Sequence, residues 1–244
     1  METRQPQFYK KVVPLSSEQH ARLHIDAAAG YDFARDATAV LLTTVEFSKA
    51  SREYPIVFLE DGDKVNPVAL LGLPGGRNQY LGSDGKWKAA YIPAYVRRYP
   101  FIPGSGVADN ELVLCIDEAA PNVSTEHGAA LFNEGEHSPF LKSYISLIDD
   151  YQVQVKRTGE FSSRLQELKL LVRMKADLKL DDVTNSLTGF MVVDPARLKA
   201  LRPAQLSELV KNDDMACIYA HLSSVENFGR LTPVKSTVKP KQDS

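Results

Sequence analysis

The side chains able to do chemistry in this chain are few, and their spacing is the first test of each. His24-Ile25-Asp26 puts an imidazole and a carboxylate two residues apart. On a strand both would face one side, as in the first half of a two-histidine, one-carboxylate iron site. His221, with Arg230 downstream, would have to supply the rest, yet His221 falls in a helical pattern where a small jelly roll needs a strand. Gly72, Gly75 and Gly76 follow an apolar run, but their spacing matches neither phosphate-binding glycine motif and no helix start follows. They read as a turn. Asp109 to His137 holds seven carboxylates, His127 and His137, with no lysine or arginine. It lacks the spacing of a calcium-binding loop and reads as a solvated acidic loop. Gly104-Ser105-Gly106 is not a nucleophile elbow. Cys115 and Cys217 sit in apolar runs without a base beside them. Asp117 and Glu118 are adjacent, so on a strand they point to opposite faces and do not converge as acid and base.

The most distinctive segment runs from Trp87 to Phe101 and is dense in tyrosine and arginine. A short helix opened by Pro93 and closed by Pro100 would put Ile92, Tyr95, Val96 and Tyr99 on one face and turn Arg97 and Arg98 elsewhere. Trp, Tyr and Arg together are the composition of interaction hot spots. They are equally the composition of a core helix with tethered tyrosine hydroxyls. Trp87, Tyr91, Tyr95, Arg97 and Arg98 are therefore the candidate surface for a partner or ligand.

The elements that must position these residues follow from local signals. Val12 to Leu15 is a short apolar piece. Thr43 and Glu46 form a capping box for a helix that must end before Tyr54-Pro55. Ile56 to Leu59 is a strand apolar on both faces, and Val68 to Leu73 a strand stopped by Pro74-Gly75-Gly76. Asn78–Leu81 and Trp87–Tyr91 flank Ser83-Asp84-Gly85 as a hairpin, and Leu112 to Ile116 is a further strand. Ser138-Pro139 opens a helix with apolar residues at Leu141, Tyr144, Ile145, Ile148, Tyr151 and Val155. The pattern resumes at Phe161, Leu165, Leu168 and Leu171 after Gly159, so one bent helix or two consecutive ones fit. Leu187 to Val193 is one further strand, and three short helices follow from Asp194-Pro195, from Pro203 and from Met215. The fold class is α+β, with a β-rich N-terminal half of short strands and hairpins and a helical C-terminal half. Residues 1–8 read as a flexible start and 9–231 as one α+β domain, with an optional sub-boundary near 119–138. Residues 232–244 read as a disordered tail.

Composition bounds the function classes. The chain has 244 residues, is 43% hydrophobic and 25% charged, and has a net charge of −2. This balance is ordinary for a globular domain and argues against a nucleic-acid binder, which is normally basic. No apolar run is long enough to span a bilayer, and the polar start lacks the apolar core of a secretory signal. Two cysteines make no disulfide framework, so buried free thiols are expected. A soluble cytoplasmic protein without cofactor or metal is the expectation.

The runs Tyr54-Pro55-Ile56-Val57-Phe58, Val68-Ala69-Leu70-Leu71-Gly72-Leu73 and Tyr91 through Phe101 give the chain a resemblance to the bacterial SapC-like family. It continues through Leu114-Cys115-Ile116-Asp117-Glu118, Thr188 through Asp194, and Ile218-Tyr219-Ala220-His221-Leu222. It runs from about Val12 to Leu231. It implies an association with bacterial surface-layer proteins and a genomic setting near halogenase-like enzymes and TonB-dependent receptors. The peptide-transporter permease label borne by many members conflicts with the lack of a span. The family has no established catalytic residues to carry over. The expected function is that of a non-catalytic accessory or interaction protein with a protein partner. The alternative is a small-molecule-binding protein or enzyme whose site is assembled from distant residues, its weakest form the iron oxygenase considered above.

Overall fold

The computed structural model describes residues 6–105, 112–180 and 183–231. Strands β1 (Val12–Pro14) and β2 (His24–Ile25) lead through two 3-10 turns to β3 (Ala39–Leu41). The capping box at Thr43 and Glu46 forms, but it opens a 3-10 turn that runs into a single helical turn, α1 (Phe47–Ala50). Strands β4 (Ile56–Asp61) and β5 (Lys64–Leu70) are an antiparallel hairpin, and Ile56, Val57 and Phe58 are fully buried, as their unbroken apolar run requires. Helix α2 (Ala94–Arg97) starts at Pro93, followed by β6 (Phe101–Ser105) and β7 (Leu112–Asp117). Four two-residue strands come next: β8 (Val123–Ser124), β9 (Ala129–Ala130), β10 (Phe132–Asn133) and β11 (Glu136–His137). Helix α3 (Pro139–Glu167) is capped by the Ser138 hydroxyl, which accepts from the Leu141 amide. The chain closes with β12 (Leu171–Leu180), β13 (Val183–Val193), α4 (Pro195–Lys199), α5 (Pro203–Lys211) and α6 (Asp214–Ser224). The fold is α+β, with strands mainly N-terminal and helices mainly C-terminal.

The main sheet has the order β12-β13-β4-β5-β3, and a second sheet the order β1-β7-β6. One helix serves both. At 1.5 Å per residue α3 is about 43 Å long. Its first half packs Leu141 and Ile148 with Phe101 and Ile116 of the smaller sheet, and its second half packs Phe161 and Leu165 among Phe47, Phe58 and Leu170 of the larger core. Gly159 does not interrupt it, which settles the choice between one helix and two in favour of one. No helix among the described residues is long and apolar enough to cross a membrane.

Several expectations need correction. Leu171 continues the helical spacing but lies in a strand, because Lys169 adopts a left-handed φ of 53° that ends the helix. The C-terminal half therefore contributes two strands, β12 and β13, where one was expected. The turn at Ser83-Asp84-Gly85 forms, but Leu81↔Trp87 is an isolated bridge instead of a ladder. The Gln79 amide goes to Leu71 O, and the Ala90 and Tyr91 amides go to the Glu53 carboxylate, so both arms are drawn away. Phe8, placed by sequence in a flexible start, packs against Phe33, Tyr95 and Tyr99. The 232–244 tail lies outside the described residues.

His221 is also not where an iron ligand would stand. It is buried on α6, where its Nε2 accepts from the Val193 amide at 3.0 Å and its Nδ1–H donates to Ile56 O at 2.8 Å. Ser224 on the next turn accepts from the Ile56 amide, so α6 satisfies both backbone groups at the start of β4. Burial pushes the imidazole down to about 4, only partly opposed by its bond to Ile56. An imidazole that resists protonation when folded but accepts a proton near pH 6.5 when unfolded stabilises the fold above pH 6.5. That contribution is lost as pH falls from 6.5 towards 4 and amounts to about 3 kcal/mol. Urea unfolding between pH 7.5 and 4 should therefore show a steeper loss for the wild type than for His221→Gln, whose lower stability at neutral pH converges on the wild type in acid.

Candidate functional site

The site is built on a buried carboxylate. Glu46 is 3% exposed. Its Oε2 accepts from the Thr43 amide (2.8 Å) and hydroxyl (2.9 Å), and its Oε1 accepts from the Tyr91 hydroxyl (2.8 Å) and the Ala94 amide (2.7 Å). Glu53 holds the same strap by accepting from the Ala90 and Tyr91 amides, both at 3.0 Å. Tyr54 donates to Tyr91 O and accepts from Trp87 Nε1 at 2.8 Å. Two carboxylates and one phenol thus fix residues 87–94, which have almost no regular structure of their own.

The five sequence candidates are divided by this arrangement. Trp87 is half-buried and engaged with Tyr54. Tyr91 is half-buried; burial and then the Glu46 charge push its phenol up, so it stays protonated and donates to that carboxylate. Tyr95 is buried, and so is Arg98 at 6% exposure, against the expectation that both arginines turn away from the core. The Arg98 guanidinium lies 4.3 Å from the Tyr95 ring centre, 4.8 Å from that of Tyr151 and 6.0 Å from that of Tyr9. Its Nε has no hydrogen-bond partner, and it forms no ion pair among the described residues. A planar, weakly hydrated guanidinium is well suited to being taken up by aromatic faces. Arg98 caps a four-residue helix, so a helical wheel does not place it. Arg97 alone is exposed; its Nε donates to Ile92 O at 3.0 Å and its guanidinium lies 6.0 Å from the Tyr91 ring centre.

Arg97 stands between two clefts along α3. One, about 240 Å³, is lined by Val45, Glu46, Lys49, Tyr91, Arg97 and Tyr151 among others. The other, about 280 Å³, shares Arg97 and Leu147 and reaches Asp26, Tyr31 and Tyr144. Lys49 Nζ also lies 6.0 Å from the Tyr91 ring centre, so two cations stand near that ring, with the Asp150 carboxylate in the same cleft.

The remaining candidates are structural. Asp117 is fully buried, which corrects its place in a solvated acidic loop; it accepts from the Lys10, Lys11 and Ala119 amides and from the Tyr99 hydroxyl. Glu118 instead meets Lys11 at 2.7 Å and His20 at 3.1 Å. Asp109 and Gly106 lie outside the described residues. Asp26 caps a 3-10 turn, and no group of three metal-ligating side chains occurs among the described residues. Both cysteines are buried and free, and burial raises Cys217 to about 11, far from a reactive thiolate. Gly72 serves a close approach: a Cβ there would lie 2.2 Å from Arg77 O.

A protein-family model described as SapC matches residues 15–231. The chain belongs to the SapC family. No curated protein and no solved structure matches it. The SapC span contains every residue of the two clefts named above, together with Glu46, Glu53 and Arg98.

Within this SapC chain the two neighbouring arginines should behave oppositely. Arg98→Ala removes the filling between three tyrosines and should lower unfolding free energy by about 3 kcal/mol. Arg97→Ala should stay within about 0.5 kcal/mol of the wild type. Urea titrations of the two variants side by side check the contrast.

Proposed function

We propose that this SapC-family chain is a non-catalytic accessory protein of the cytoplasm that acts by binding a protein partner across the clefts beside α2 and α3. The family resemblance points to surface-layer, outer-membrane-receptor or halogenase-containing systems as its setting. The single observation that carries the proposal is how the polar groups are used. Glu46, Glu53, Asp117 and His221 are all engaged by backbone or tyrosine partners. Arg97 and Lys49 are exposed, each 6.0 Å from the Tyr91 ring centre.

One exposed apolar side chain, Val45, stands on the same face and lines the Tyr91 cleft. Apolar exposure beside Tyr and Arg suits a contact surface, and two cations select a partner segment that carries acidic residues.

The test is affinity capture from the native host with wild-type and Lys49→Glu/Arg97→Glu baits, read by quantitative mass spectrometry. A partner recovered by the wild type should be lost from the double variant while its thermal unfolding stays unchanged. Equal recovery by both baits refutes this face as the contact.

A further inference from the structure

A third space lies on the same flank of α3, towards its C-terminal end, and originates in a mismatch of strand lengths. β3 pairs with β5 only from Val68 to Leu70, whereas β5 begins at Lys64. Beyond the single bond from the Leu42 amide to Pro67 O, no strand among the described residues continues β3 alongside Lys64–Asn66, whose other edge pairs with β4. The notch is closed by α3, which presents Thr158, Gly159, Ser162 and Ser163 there. The resulting cavity is about 360 Å³, at the lower end of the range of small-molecule sites. Leu41, Leu42, Val65, Pro67 and Val155 give it apolar walls.

Two features set it apart from a packing defect. Ser162 is 3% exposed and its hydroxyl has no hydrogen-bond partner. A buried helical serine ordinarily bonds back to the carbonyl four residues earlier, as Thr158 does to Gln154 O at 2.6 Å. Ser162 does not, and a buried unpaired hydroxyl is costly unless something else pairs with it. Gly159 is the second feature. Glycine is poor in a helix interior, yet here it lies two turns inside the C-terminal end of a 29-residue helix. A Cβ at that position would meet nothing within 4 Å, so close packing does not require the glycine. Its effect is to keep the cavity open.

The mouth carries charge. Lys64 and Lys156 are exposed there and form no ion pair among the described residues, while Asp63 is the one carboxylate in the lining. We propose that this cavity binds a small organic carboxylate with an apolar body. The chain of such a ligand would lie against Leu42 and Val65, with Lys64 and Lys156 holding the carboxylate at the mouth. Neither the clefts at Arg97 nor the family membership assigns this site.

Octanoate is a suitable probe and octan-1-ol its uncharged counterpart. Octanoate should raise the Tm of the wild type and shift the amide resonances of Gly159, Ser162 and Val65, with octan-1-ol at least about tenfold weaker. Ser162→Ala should keep or raise the Tm of the free protein, because it removes the unpaired hydroxyl. Gly159→Leu should block binding and Gly159→Ala retain it, both folding at least as stably as the wild type. Lys64→Gln/Lys156→Gln should abolish the preference for octanoate over the alcohol. Lys49→Glu/Arg97→Glu should leave octanoate binding intact, which separates this site from the partner face. Failure of octanoate to saturate below about 10 mM, resonance shifts that map elsewhere, or undiminished binding by Gly159→Leu each overturns the proposal.

Discussion

The placing of Glu46 governs this molecule. A carboxylate taken out of water loses several kcal/mol of solvation unless its lone pairs are satisfied. Glu46 forms no ion pair among the described residues and relies on four donors, two from Thr43 and two from the strap forty-five to forty-eight residues later. Its burial therefore dictates where Tyr91 and Ala94 must lie. Helix α2 is four residues long and has no stability of its own in water. What orients it is the Glu46 carboxylate accepting from its first amide, where a negative charge is also favoured by the helix dipole. The positions of Arg97 and Arg98, one outward and one inward, follow from that anchor.

The same economy recurs at the other buried charges, each solved by different chemistry. Asp117 takes the amides of Lys10 and Lys11 and so fastens the N-terminal segment to the end of β7. Arg164 and Asp214 form a two-point pair, 2.6 and 3.0 Å, that ties α3 to the start of α6. Arg98 is taken up by tyrosines, through their ring faces and through hydrogen bonds to Tyr9 and Tyr95. In every case the ion secures a stretch that no sheet ladder holds: the chain start, the 91–98 strap, the turn before α6. Protonating Glu46 or Asp117 would remove the acceptor charge that holds its segment, so each carboxylate is tied to the local stability of the stretch it fastens.

How much of this was legible in the sequence depends on the range of the interaction. The capping box at Thr43, the Ser138-Pro139 and Asp194-Pro195 helix starts and the buried strand from Ile56 are local signals, and each appears where its residues place it. β12 was also legible but was masked by helical spacing at its first residue: Met174, Ala176, Leu178 and Leu180 alternate with Arg173, Lys175, Asp177 and Lys179, a period of two. The second pair of donors to Glu46 was not legible, since nothing near Tyr91 announces a carboxylate so far upstream. Arg98 was hidden for another reason. Sequence treats arginine as a surface charge, whereas three tyrosines from three separate segments converge on it. The α3 cavity arises from unequal strand lengths and a helical glycine, both of which acquire meaning only once β3, β5 and α3 are brought together.

Helix α3 unites these features. One flank packs into both cores, and the neighbouring flank is left open along most of its length, from Ser143 to Gln166. Thr43 and Tyr151 form a wall common to the Tyr91 cleft and the Ser162 cavity. Thr43 is held by its two bonds to Glu46, and Tyr151 by the Arg98 guanidinium against its ring. The partition between the two spaces is thus set by buried charge on both sides, and a group entering one space meets a surface that has no cause to shift towards the other. The two proposed contacts on one helix flank would then be made independently, because Thr43 and Tyr151 between them are each held from behind.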